Sequence, residues 1–281
     1  MRLLSSLLVF CTIFCQSVRA NDGSSALALL ISTQHGQQLV QKAIRYWGLK
    51  NKDELLHLIS LGEVSKTDAV LTRQLDLTNG QEIKTRKLTI YLRKGQTLKE
   101  LTLDLAHELT HATSATKWDP YDPTLTAEKY ILLAIDAPGG EADALFSECL
   151  VELAIDESNQ TTDSRCQKYQ DRKTKQISRQ KILEDFYKIG SWKHALDKKL
   201  AHSIRQLPLL SDEPPVLYSS TGNAPYPVAL LEEFETMNKI ACQNSKNRLK
   251  SMRSPATNKI DALHDEALSF LSRRCALRQV D

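Results

Sequence analysis

Aromatic residues make up only 6 % of this 281-residue sequence, and its formal net charge is only +3. So balanced a chain, with so few rings, offers neither the basic stripe nor the stacking platforms that nucleic-acid binding needs. Long apolar runs are also missing. After residue 20 no stretch is long and apolar enough to span a bilayer, which argues against membrane insertion. No cysteine pair has the C-x-x-C spacing of a metal clip, and no internal repeat or low-complexity tract is present.

The N-terminus is a different case. Arg2, the apolar run from Leu3 to Cys15, and the small-residue pattern Val18-Arg19-Ala20 read as a secretory signal peptide cleaved after Ala20. Phe10 precedes Cys11 and Phe14 precedes Cys15, so neither cysteine has the small neighbour that a lipidation signal requires. The expected location is secreted or periplasmic. Cleavage would also remove Arg2 and Arg19, which brings the charge closer to zero. Four cysteines would remain, Cys149, Cys166, Cys242 and Cys275. An even number in an oxidising compartment predicts two disulfides, and three pairings are open.

The most informative stretch is His107-Glu108-Leu109-Thr110-His111. Residues four apart lie one above the other on a helix, so His107 and His111 can aim two imidazoles at one point, with Glu108 one step round. Such spacing supplies two nitrogen ligands for a metal and a carboxylate to take a proton from water. The surroundings support a helix. Leu98, Leu101, Leu105, Leu109 and Ala112 form one apolar stripe, and Thr97 with Glu100 makes a capping box. Both histidines project away from that stripe. Asp104 shares their face, so an ordinary solvated face is the plain competing account.

On this motif the chain resembles the zincin metallopeptidases over roughly residues 67–156. The metzincin extension would put Gly at 114 and His at 117; the chain has Ser114 and Lys117. The resemblance is therefore gluzincin-like and implies a Zn²⁺ cofactor held by His107, His111 and a glutamate from a second helix. Glu141, in Pro138-Gly139-Gly140-Glu141-Ala142-Asp143-Ala144, is the leading candidate for that glutamate. Glu148 and Glu152 lie on the same stripe, and either could be the ligand instead or support a ligand histidine. Leu145 stands where thermolysin-like enzymes carry an Asp. The resemblance further implies a protein or peptide substrate, with Glu108 as the catalytic base. It also implies a second transition-state stabiliser, for which Tyr130, Tyr187, His194 and His202 are open. An exported binding or inhibitory protein on the same scaffold, without turnover, is the alternative function.

The rest of the chain is mainly helical. Helices are expected over residues 37–47 and 53–61, and a β-hairpin over residues 67–92 turning at Asn79-Gly80. Residues 87–92 could pair with an extended substrate by backbone hydrogen bonds. Helices are also expected over residues 127–136, 141–157, 173–189, 192–204, 228–252 and 258–277. A proline-rich connection fills residues 207–227, and a break falls at Ser254-Pro255. The expected fold class is α+β: mainly helical, with a small antiparallel sheet or hairpin beside the two metal-site helices and a helical C-terminal region. The division expected is a signal peptide (1–20), a zincin-like domain (21–170) and a helical C-terminal region (171–281).

Overall fold

A computed structural model describes residues 22–76, 81–114, 118–159, 164–200, 207–220, 222–251 and 258–275. The expected signal peptide, the Asn79-Gly80 turn, His202 and the Ser254-Pro255 break lie outside the described residues. The chain is a mainly helical α+β fold with one small sheet. Three helices come first: α1 (Asp22–Ile31), α2 (Gln34–Trp47) and the short α3 (Lys52–Leu56). Thr33 caps α2 by accepting from the Gly36 amide, and Gly48 ends it in the left-handed region.

Strands β1 (Ile59–Gly62), β2 (Lys66–Asp76) and β3 (Gln81–Arg93) follow, in the order β1-β3-β2. The expected hairpin is β2 with β3, antiparallel, with Thr67 opposite Ile90. β1 was not expected, since Asn51 was read as capping a helix as far as Leu61. Asn51 does cap, but α3 stops at Leu56, and Ile59–Gly62 pairs in parallel with Ile90–Arg93. The sheet is therefore mixed rather than antiparallel, and β3 is its central strand. Ile90 and Tyr91 are paired on both sides and have no edge to offer a substrate, Leu92 pairs with β1 and residues 87–89 with β2; β2 is the outer strand facing the site.

Helix α4 (Leu98–Ala112) carries the His-Glu-x-x-His motif, and its expected Thr97–Glu100 capping box is present. Leu101, Leu105, Leu109 and Ala112 are buried against Leu88, Ile90 and Leu92 of β3 and against α1 and α2. Leu98, at the start of the stripe, is 45 % exposed. Each fully buried leucine contributes about 1.5–3 kcal/mol, enough to fix which face α4 turns away from the core.

Helix α5 (Ala127–Ile135) leads through Pro138-Gly139-Gly140 into α6 (Glu141–Asn159), which packs along α4. Ala142 and Ala144 are fully buried, and their small side chains allow the close approach. Two apolar clusters fill the interior and meet on α6. It gives Val151 and Ile155 to the cluster around α4, and Ala142 and Cys149 to a second one running from Leu125 to Phe234. That second cluster draws residues from both sides of position 170.

The C-terminal part has α7 (Arg179–Phe186), α8 (Trp192–Leu200), α9 (Tyr226–Ser251) and α10 (Asn258–Phe270). α7 is much shorter than the 173–189 expected. The Asp171 carboxylate accepts from the Lys173 and Thr174 amides, Lys175 takes a left-handed conformation, and Ser178 caps the helix only after that turn. Two disulfides are formed, Cys149–Cys166 and Cys242–Cys275. Among the described residues no helix is long and apolar enough to cross a membrane.

Candidate metal centre

One turn of α4 sets the geometry. The His107 and His111 rings lie 4.8 Å apart between centroids. Their Nε2 atoms face the carboxylate of Glu141, the first residue of α6, at 3.4 Å from Oε2 and 3.6 Å from Oε1 respectively. One ligand atom from each of the three residues can be chosen so that all lie within 4.8 Å of one another.

The other ring nitrogens are occupied. His107 Nδ1 lies 3.2 Å from Glu148 Oε2, and His111 Nδ1 lies 2.9 Å from the Gly139 carbonyl oxygen. A carbonyl or carboxylate oxygen can only accept, so each neutral ring carries its proton on Nδ1 and leaves the Nε2 lone pair bare. Glu148 therefore reaches His107 from behind, while Glu141 faces both Nε2 atoms.

These residues fit a divalent metal ion. Ligand atoms bound to one zinc ion at about 2.0–2.2 Å in a tetrahedron stand roughly 3.3–3.6 Å apart. The Glu141 separations of 3.4 and 3.6 Å lie in that range. Glu141 Oε2 is also buried without a well-formed hydrogen bond. A buried carboxylate oxygen in that condition is costly unless something else neutralises it.

Charge in the centre is balanced tightly. Burial works against a protonated His107, but Glu141, then Glu108 and Asp104, outweigh it and raise its pKa. Burial would raise Glu141, but His111, His107 and the Tyr226 hydroxyl outweigh it and hold its pKa down. Burial lifts Glu108 above the ordinary carboxylate range against the pull of His107 and His111. The Thr67 hydroxyl on β2 lies 2.8 Å from Glu108 Oε2 and 2.8 Å from the Glu108 carbonyl oxygen, which ties Glu108 to β2 through Oε2 rather than Oε1.

The loop before α6 is built for its role. Gly139 has φ +79°, and a Cβ there would lie 2.5 Å from the Ser114 side chain. Its amide donates to Asp143, whose other oxygen accepts from Arg179, and Arg179 also donates to the Asp136 carbonyl. The carbonyl that holds His111 is thus locked from both sides. Behind His107, Glu148 is paired with Arg165. Each member of that pair is the immediate neighbour of a half of the Cys149–Cys166 disulfide. Further along α6, Glu152 and Asp156 both contact Lys99 at the start of α4, at 3.3 and 2.6 Å.

The centre opens into a cleft of about 930 Å³. Lys66, Thr67 and Arg86 line its sheet side, and Trp118, Tyr130 and Tyr226 line the side formed by α9 and the segments before it. Of the expected stabilisers, Tyr130 is in the cleft. Tyr187 is buried with its hydroxyl on Asp136, and His194 is not among the residues lining the cleft. Tyr226 escaped the sequence reading, because it lies at the end of the proline-rich stretch and was assigned to a connection. It is the first residue of α9, and its hydroxyl is bonded to Glu141. Burial, then the charge of Glu141, raises that phenol's pKa, so it stays protonated and able to donate. Arg165 was also missed, since nothing in the polar run around it marks a partner.

Set beside protein-family models, curated proteins and solved structures, the chain finds no match in any of the three, so its function has to be argued from its own residues.

Proposed function

We propose that the protein is an exported zinc-dependent peptidase of the zincin type, with His107, His111 and Glu141 as metal ligands and Glu108 as the catalytic base. The observation that carries this reading is the pair of bare Nε2 atoms converging on one carboxylate while both Nδ1 atoms are engaged elsewhere. Three protein ligands with one position left open is the arrangement of catalytic rather than structural zinc.

When bound, the ion would supply a Lewis acid that polarises the scissile carbonyl and acidifies water. The remaining work falls to the chain. Glu108 Oε1 takes the proton from the attacking water while Thr67 holds Oε2, and it then delivers that proton to the departing amine. Burial favours this uptake, because it raises the affinity of Glu108 for a proton. The Tyr226 hydroxyl donates to Glu141 and so orients that ligand. The outer strand β2, with Lys66 and Thr67 in the cleft wall, offers backbone groups to an extended peptide. The two disulfides suit an oxidising compartment, in keeping with secretion or a periplasmic location.

The deciding variant is Glu108→Gln. It should keep one zinc per chain and an unchanged circular dichroism spectrum, while peptide hydrolysis falls by about 10²–10⁴-fold. Zinc-loaded wild type that cleaves no peptide in a broad substrate library would sink the reading and leave a metal-binding protein without turnover.

A further inference from the structure

Three carboxylates border the cleft, Glu108, Glu141 and Glu233. The first two are committed, Glu108 to Thr67 and Glu141 to the histidines and Tyr226. Glu233 stands apart. It lies on α9 seven residues after Tyr226, two turns along the same face, about 10 Å further down the cleft by helix rise. The hydroxyl of Tyr130, a residue only 3 % exposed, lies close enough to Glu233 for that carboxylate to raise its pKa, after burial. Among the described residues no lysine, arginine or histidine forms an ion pair with it.

The surroundings are aromatic. Trp118 meets the Tyr130 ring edge-on at 5.0 Å between centroids, is 38 % exposed, and lines the same cleft. Tyr130 lies in the electrostatic field of both Glu233 and Glu141, so this corner adjoins the metal centre.

We propose that Glu233, Tyr130 and Trp118 form a subsite for a cationic side chain, so that the cleft selects peptides with Arg or Lys near the scissile bond. This deepens the peptidase reading and rests on it for the identity of the substrate. A carboxylate near a buried phenol and an exposed indole offers a guanidinium or ammonium both a charge-assisted hydrogen bond and an aromatic face to pack on. An apolar side chain in the same place would strip water from Glu233 and give nothing back. An acidic one would be repelled. Committed carboxylates elsewhere in the cleft cannot make this discrimination without giving up their present partners.

The test uses the full chain stripped of metal by a chelator, so that it does not depend on catalysis. Two probes of similar length, Nα-acetyl-arginine amide and Nα-acetyl-norleucine amide, are titrated with tryptophan fluorescence as the readout, since Trp47 and Trp118 both line the cleft. The arginine probe should bind about tenfold more tightly, as expected from one charge-assisted hydrogen bond with ring packing. Glu233→Gln should bring the ratio close to one. A wild-type ratio under about twofold, no detectable binding of the arginine probe, or a preference that survives Glu233→Gln would each overturn the proposal. The two failures remain distinguishable. A zinc-loaded protein that hydrolyses nothing, while the metal-free preference holds, defeats the peptidase reading alone. Hydrolysis indifferent to Arg and Lys, and unaltered by Glu233→Gln, defeats the subsite alone.

Discussion

The two walls of the cleft are made in different ways. On the sheet side, α4 and β2 are specified by short-range signals: a capping box, a leucine stripe, a hairpin pattern and two histidines one turn apart. On the opposite side, Tyr130, Tyr226 and Glu233 come from α5 and α9, about a hundred residues apart in sequence at their extremes, and only tertiary packing brings them together. On the proposed function, the first wall would hold the reactive groups, and the second would orient Glu141 and read the substrate. Local coding suits a constellation that must be rigid, whereas the partner wall depends on how a long helix docks.

This contrast can be broken from either side. The largest effect is expected on the α4 wall, where His111→Ala should weaken zinc binding by more than about a hundredfold, measured by elemental analysis after dialysis. Zinc retained at one per chain would show that the ligand set lies elsewhere. Next, Leu109→Ala should lower stability by about 2–5 kcal/mol in denaturant unfolding, because Leu109 is fully buried behind the two histidines. A cost below about 1 kcal/mol would mean that the stripe does not anchor the helix. Glu148→Gln should then reduce zinc affinity by about 10–100-fold with little change in fold, since it removes the charge behind His107. The smallest effect belongs to the far wall. Tyr226→Phe should keep the metal and slow hydrolysis by about tenfold through loss of one hydrogen bond to a charged group. If Tyr226→Phe instead abolished zinc binding, the division of labour between the walls would be wrong.

What could be read in the sequence follows the same line. Thr97, Glu100, His107, Glu108 and His111 were visible because their meaning depends on spacing within one helix. Thr126 was legible as a cap for the same reason, and it accepts from the Lys129 amide as expected. Ile59–Gly62 was not, because a helix signal at Asn51 says nothing about where pairing with β3 will cut the helix short. The seven-residue spacing of Glu141 and Glu148 placed both on one face of α6. Sequence alone left open which would face the Nε2 atoms and which would reach Nδ1, because that depends on where α6 begins against α4. Tyr226 was hidden by the prolines before it, and Arg165 by the absence of any periodic pattern around it.

The Cys149–Cys166 bridge has a bearing on when the centre becomes competent. It joins the residue after Glu148 to the residue after Arg165, so the clasp behind the His107 ring is closed by a covalent link between α6 and the segment that follows it. A freshly synthesised chain in a reducing cytosol lacks that link and holds the imidazole by α6 alone. For an exported peptidase, as proposed, maturation of the centre would be tied to the oxidising chemistry of the compartment the chain arrives in.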